Sequence, residues 1–401
     1  MKNLFVFSWC HLWSMKAGVG APSYHHTINY YINSDKWNVW LFTADRTNME
    51  LDGRAHVYLF SFPEIIERIC GIPKLGYPFR TIKYWCYTYW ACMYAKRIIK
   101  NLSGKSVAYA YEFWGVKAAN MISKRFNIPL VTRFQGTFLM DKKDRWRDRF
   151  CRYPEYSAIT TKADLIVMTN DGTQGDIVLK RLKNFSTTLF LRNGLDLYDK
   201  YESVMSNVDC LEERNKLGLS DRDKICMTAS RLVDWKRVDR AIYALSEVLK
   251  KEPHAKLIIA GDGTERTNLE KLVKKLNLER AVIFLGSVPH DILYKYMLMS
   301  DVFLSLYDLT NLGNPTFEAM LMKRAIITLN NGGTNTVIQN EKNGILLNLD
   351  QLDQLPDKII ELFINEEKRE KLAEEAFDYA KRNFYSWDTR LKLEADVING
   401  L

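Results

Sequence analysis

With 401 residues, 47% hydrophobic and 26% charged, the chain is too long for a single hydrophobic core and too evenly mixed for a disordered or fibrous protein, so two domains of about 200 residues are expected. Its net charge of +9 is unevenly placed: residues 1–200 hold 29 basic and 16 acidic side chains, and residues 201–401 hold 28 and 32. The seven cysteines are odd in number and scattered without a Cys-x-x-Cys pair, and the six histidines show no ligand spacing, which argues against a disulfide scaffold or a zinc site.

The opening MKNLFVFSWCHLWSMKAG is broken by His11, Ser14 and Lys16 and has no small-residue cleavage site, so Asn3 to Trp9 reads as a first strand rather than a leader. A glycine turn with Gly18 and Gly20 follows, then a helix from Pro22 to Asn33. The adjacent His25 and His26 point in different directions on that helix and read as a partly buried pair. Trp37 to Thr43 and Ala55 to Phe60 read as strands. Arg80 to Lys100 reads as a helix dense in aromatics, with an apolar run of about a dozen residues against the roughly 20 that span a bilayer. The sequence places it in the core, with a membrane-facing helix as the alternative. Ser106 to Tyr111 and Pro129 to Phe134 are strands; Glu112 to Gly115 is a loop and Val116 to Phe126 a helix between them. This rhythm predicts a parallel sheet covered on both faces.

Asp141 to Arg152 places six basic residues around Trp146 and Phe150. Such a pattern suits an interfacial segment, an anionic lipid acceptor or single-stranded nucleic acid, and equally an exposed lid whose charges pair with Asp141, Asp144 and Asp148. Ala163 to Thr169 and Thr188 to Leu191 are strands, and residues 195 to about 220 form a charged connector. A second run of strands begins at Ile225 and continues through Lys256 to Ala260, Ala281 to Gly286, Val302 to Leu306, Ala325 to Thr328 and Gly344 to Leu347, with helices between them. Helices are predicted over 356–365 and 367–382, and a last one begins near Phe384.

The densest signal is DVFLSLYDLTNLGNPTFEAMLMKRA, residues 301–325. A buried strand runs into a loop of Asp, Thr, Asn, Gly and Pro, then into a helix with Asn314 as candidate N-cap and Pro315 in the first turn. A loop at the carboxyl end of a parallel strand that feeds a helix N-terminus is a phosphate-binding arrangement. Thr316 lies in the same turn and Glu318 close behind, where it can point at a ribose.

Gly313, Pro315, Glu318 and Ala319, followed by Asn331-Gly332-Gly333, resemble the donor-binding signature of retaining GT-B glycosyltransferases, the glycogen-synthase-like family 4. The resemblance implies an α/β fold of two Rossmann-like, doubly wound domains facing across a cleft. It implies an acceptor-binding domain over 1–200, a nucleotide-sugar-binding domain over 201–385 and a helix, 386–401, packing back on the first domain. The family has a first glutamate eight residues before the second, where this chain has Thr310 with Asn311 beside it as the nearest polar substitute. By resemblance Gly18 and Gly20 face donor phosphates, and Asn311, Gly313, Asn314, Pro315, Thr316 and Glu318 bind the donor. Arg231 and Lys236 match the family's diphosphate-gripping pair, and Arg237 reads as a solvent residue. Val288 and Pro289 are candidates for contact with the base. Glu112 and Gln135 fall on acceptor-side loops, Gln135 standing where the family often has histidine.

The expected partners are a nucleotide-diphosphate sugar and a glycan or lipid-linked acceptor, with no cofactor, metal or nucleic acid. The basic first half suits peripheral contact with an anionic membrane from the cytoplasm. A nucleotide-sugar epimerase on the same fold and a non-catalytic binder of sugar nucleotides are the competing readings.

Overall fold

The computed structural model describes residues 1–10, 22–44, 55–72 and 76–401. The chain forms two compact units: Met1–Asn170, Gln174–Asn193 and Trp387–Leu401 make the first, and Asp171–Thr173 with Gly194–Ser386 make the second.

In the first unit, β1 (Lys2–Ser8), β2 (Trp37–Ala44), β3 (Ala55–Phe60), β4 (Ser106–Tyr111), β5 (Leu130–Phe134), β6 (Leu165–Thr169) and β7 (Thr188–Leu191) form a parallel sheet in the order β3-β2-β1-β4-β5-β6-β7. Strand β1 is apolar without alternation because both of its faces are covered. Phe5 and Phe7 pack with residues of helices Gly76–Ile99 and Glu112–Phe126, while Leu4 and Val6 pack with helix Pro22–Ile32 and with Ala395 and Ile398 of helix Trp387–Asn399. Gly115 is required where helix Glu112–Phe126 crosses β1, because a Cβ there would lie 2.0 Å from the Phe7 carbonyl oxygen.

The last helix also brings a charge into this core. Glu394 accepts from Arg133 at 2.7 Å and from Tyr109 at 2.6 Å, and pairs with Arg390, all of them buried. Desolvation pushes the Glu394 carboxyl up, but the two guanidinium groups and the Tyr109 hydroxyl outweigh it and hold its pKa below the ordinary value.

In the second unit, β8 (Lys224–Ala229), β9 (Ala255–Ala260), β10 (Val282–Gly286), β11 (Val302–Ser305), β12 (Ala325–Leu329) and β13 (Ile345–Leu347) form a parallel sheet in the order β10-β9-β8-β11-β12-β13. The winding reverses between β8 and β11, so the loops leaving their carboxyl ends diverge and open a crevice there.

Three expectations are corrected. Residues 112–115 are the first turn of helix Glu112–Phe126 rather than a loop, entered through Glu112 at φ 63°. The connector contains two helices, Tyr201–Asn207 and Cys210–Lys216, whose apolar side chains pack on the second core. The aromatic helix is longer than expected, Gly76–Ile99, and divides its rings: Tyr84 and Tyr87 are buried, while Trp85 and Tyr89 are exposed. Among the described residues, no helix is long and apolar enough to cross a membrane.

Candidate active site

The loop after β8 carries Arg231 and Lys236, and the neighbouring turn fixes its path. Ser230 N donates to Ala260 O at 3.0 Å, Leu232 N to Asp262 O at 2.9 Å, and Glu265 N to Leu232 O at 2.8 Å. Gly261, at φ 122°, permits this approach, since a Cβ there would lie 1.8 Å from Ser230 O. On its other side the loop is tied to the one after β11 by Asp308 N donating to Trp235 O at 3.0 Å.

Within this frame Arg231 is exposed and Lys236 is half-buried. The Lys236 ammonium lies 3.6 Å from the ring centre of Tyr307 and 4.3 Å from that of Trp235. Burial, reinforced by the Arg231 charge, lowers its pKa to about 7. Aromatic faces attract a cation but do not neutralise it, so this arrangement keeps a charge with which an anion can pair. Arg237, expected as a solvent residue, has 37% of its side chain exposed and is ion-paired. It pairs with Asp239 at 2.8 Å and with Asp308 at 3.7 Å.

The loop after β11 is organised by Asn311, which is 0% exposed. Its carbonyl accepts from Ser305 Oγ and Tyr307 N, both at 2.9 Å, and its amide donates to Asn331 Oδ1 at 2.7 Å and to Leu329 O at 3.4 Å. Asn311, expected as the polar substitute for a sugar-binding glutamate, has its side chain engaged in clamping two loops together. Asn314 is not the N-cap of helix Asn314–Leu321. Gly313 occupies that position and makes no side-chain cap, with Asn314 and Pro315 opening the helix. A cap without a side chain leaves the N-terminus accessible to an anion. The Thr316 hydroxyl is buried in the first turn without a hydrogen-bond partner among the described residues.

Glu318 is 3% exposed and accepts from the Tyr294 hydroxyl at 3.3 Å. Burial pushes its pKa up to about 7, and the Asp196 carboxylate adds to the rise while Tyr294 and Lys200 oppose it. A carboxylate so placed gains from hydroxyl donors such as those of a ribose.

In the first unit, Glu112 and Gln135 come together at the carboxyl ends of β4 and β5. Gln135 N donates to Glu112 Oε1 at 2.7 Å, Gln135 Nε2 donates to the Tyr111 hydroxyl at 3.0 Å, and Asn193 Nδ2 donates to Gln135 Oε1 at 3.1 Å. Glu112 has a left-handed backbone, costly for a residue with a Cβ and a mark of a position held for its side chain. Gly18 and Gly20 lie outside the described residues. Asp196, Tyr294, Tyr307 and Trp235 were not singled out from sequence, because only folding brings them beside Glu318 and Lys236. Among the described residues, no three His, Cys, Asp or Glu side chains converge as a metal site requires.

Residues 210–379 match the family described as glycosyl transferases group 1. The chain is 23% identical to an alpha-D-kanosaminyltransferase of Streptomyces kanamyceticus over 70% of this chain and 71% of that protein. It is 30% identical to an N-acetyl-alpha-D-glucosaminyl L-malate synthase of Bacillus anthracis over 46% and 48%. It is 26% identical to an alpha-monoglucosyldiacylglycerol synthase of Streptococcus pneumoniae over 51% and 47%. The chain thus spans about half the length of the latter two. Among solved structures, HepE of Anabaena in complex with UDP has the same fold at a TM-score of 0.69 and 19% identity, covering 100% of both chains. A sucrose-phosphate synthase of Thermosynechococcus elongatus reaches 0.73 at 15% identity, covering 100% of this chain and 98% of that one. The fold is the two-domain, Rossmann-like GT-B fold.

Proposed function

We propose, from a chain whose residues 210–379 match the glycosyl transferases group 1 family, that the protein transfers a sugar from a nucleotide-diphosphate donor to a glycan or lipid-linked acceptor with retention of configuration. The observation that carries this reading is Lys236, a partly desolvated cation whose neighbours are two aromatic rings and Arg231. A diphosphate at the crevice between β8 and β11 is the anion that suits these groups. Arg231 and Lys236 hold its charge, the first turn of helix Asn314–Leu321 adds the backbone donors of Gly313 and Asn314 and the Thr316 hydroxyl, and Glu318 receives the ribose hydroxyls.

As the bond from the sugar's anomeric carbon to the diphosphate breaks, negative charge collects on the departing oxygen. Two fixed cations stabilise that charge more than they stabilise the intact donor, which accelerates the step. The acceptor hydroxyl attacks the same face and its proton passes to the leaving diphosphate. Arg231 and Lys236 supply the charge compensation locally, so the reading is of a metal-independent transferase. Glu112 and Gln135 belong to the acceptor side.

The named relatives, among them a kanosaminyltransferase and a glycolipid synthase, support a sugar-transfer reading with a glycan or lipid-linked acceptor, in surface polysaccharide or glycolipid synthesis. The basic first unit, with Trp146 80% exposed on a short helix that buries none of its side chains, supports peripheral contact with the anionic inner face of a membrane.

A thermal-shift screen against UDP, GDP, ADP and CMP and their sugar conjugates tests the reading. Ligand at about 100 times its dissociation constant stabilises by roughly 2.7 kcal/mol, which is readily seen. A shift with one nucleotide family identifies the donor base. No shift from folded protein overturns the donor site and leaves the non-catalytic reading.

A further inference from the structure

The segment Asp171–Thr173 packs with the second unit although the residues on both sides of it pack with the first. Its attachment is specific. The Thr310 hydroxyl donates to Asp171 O at 2.9 Å, and Gly333 N donates to Gly172 O at 2.8 Å. There is no slack: at Gly172, φ 82°, a Cβ would lie 2.2 Å from Thr310 Oγ1, and at Gly332 one would lie 2.6 Å from Gly172 O. Three loops are thus knitted together, 171–173, 307–313 and 331–334. The middle one leads directly into helix Asn314–Leu321, whose N-terminus the proposed function gives to the diphosphate.

This knot holds a carboxylate that none of the roles assigned above uses. Asp171 Oδ1 accepts from Thr173 N at 3.0 Å and from Thr173 Oγ1 at 2.6 Å. Both Thr173 bonds fall on that one oxygen. The side chain is half-buried, and the surrounding protein pushes its pKa up to about 6 against the pull of the Thr173 bonds. The loop before Gly313 has no acid of its own nearer than Asp308, and Asp308 is engaged with Arg240 at 2.6 Å.

We propose that Asp171 is the carboxylate that receives the hydroxyl groups of the donor sugar, with Thr310 serving to position it. The inference rests on the proposed function, since it needs a nucleotide sugar bound at the second unit. A sugar attached to a diphosphate at the start of helix Asn314–Leu321 lies beside the loop that Thr310 ties to Asp171. An ionised carboxylate that spends one oxygen on both Thr173 bonds is suited to accept from a hydroxyl at the other. Thr310 touches only protein in this scheme. Its hydroxyl bridges Asp171 O and Leu312 N, the latter at 3.2 Å, and so sets the carboxylate's place relative to Gly313.

The test is isothermal titration of the full chain with UDP and UDP-glucose, GDP and GDP-mannose, and ADP and ADP-glucose, first as wild type and then as Asp171→Asn. The expected result is a nucleoside diphosphate affinity within about twofold of wild type and a loss of about tenfold or more for the matching nucleotide sugar, equal to about 1.4 kcal/mol. Asp171→Glu is expected to recover part of that loss. Equal weakening of both ligands, or no change in either, overturns the inference and leaves Asp171 as a structural turn. If Asp171→Asn does not fold, Thr310→Ala is read the same way: selective loss of the sugar conjugate supports the inference, and parallel or absent loss overturns it. A wild type that binds none of the six ligands overturns the proposed function itself, and is distinguished by failing before any variant is compared.

Discussion

The Lys236 ammonium stands 3.6 Å from the centre of the Tyr307 ring, and Tyr307 in turn donates from its hydroxyl to Ala229 O at 3.0 Å, at the end of the neighbouring strand. The cation is held by a ring that is itself fixed to the sheet, so its position does not depend on a flexible stem. Lys236→Ala is expected to lower sugar transfer by about 100-fold or more, the scale seen when one electrostatic donor to a developing anion is removed. The same variant should unfold at an equal or higher temperature without ligand, because a partly desolvated charge beside Arg231 has been removed. Steady-state rates together with a melting curve check both halves.

Affinity for a nucleoside diphosphate should be bell-shaped in pH, with its maximum near neutrality. Lys236 must be protonated to bind phosphate, and with a free-state pKa of about 7 it loses that proton as pH rises. Glu318 must be ionised to accept from ribose, and with a free-state pKa of about 7 it gains a proton as pH falls. Titration of UDP binding between pH 5.5 and 8.5 reads the two limbs. Glu318→Gln should flatten the acid limb and Lys236→Arg the alkaline one.

Asn311→Ala should destabilise the second unit by about 2–4 kcal/mol, because Ser305 Oγ and Tyr307 N lose a buried acceptor together. Asn311→Asp should do no better, since a carboxylate cannot donate to Asn331 Oδ1. Urea unfolding midpoints measure both.

How much was legible in the sequence follows from what each signal depends on. Parallel strands buried on both faces appear as short apolar runs, so β3, β4 and β7 are read correctly to the residue, and the others to within one or two. The position of the Asn311 side chain was not legible. An Asn beside a vacant carboxylate position looks the same whether it turns outward to a ligand or inward to Asn331, and the choice is made by a contact 20 residues away. Asp171 was passed over for a similar reason, its partner Thr310 lying 139 residues on. Glu112 shows a third limit, because a residue that opens a helix through a left-handed backbone leaves no mark in a propensity reading.

Glu394→Gln is expected to cost the first unit about 3–5 kcal/mol by leaving two buried guanidinium groups without a counter-charge. The pH dependence has a definite sign. The folded-state pKa lies below the ordinary carboxylate value, so the wild-type contribution is complete above about pH 4.5 and is lost as pH falls through the lowered value. Melting curves from pH 3 to 6 should show this acid-dependent loss in the wild type and not in the variant.

Gly115→Ala should destabilise by about 1–3 kcal/mol, because helix Glu112–Phe126 must move away from the Phe7 carbonyl and carries Glu112 with it. A lowered melting temperature, with nucleotide affinity unchanged, is the expected outcome.

The return of helix Trp387–Asn399 to the first unit also governs the order in which the protein can be made. Arg133 is translated 261 residues before the Glu394 that neutralises it, an interval of roughly 13 to 50 s at ordinary elongation rates. Throughout that interval the first sheet emerges with an uncompensated cation at the heart of one of its faces and with the surface meant for Ala395 and Ile398 uncovered. The amino-terminal half therefore cannot reach its final state ahead of the other. Vectorial synthesis would deliver the second unit complete first, and the first unit would stay open to chaperones or to solvent until helix Trp387–Asn399 arrives.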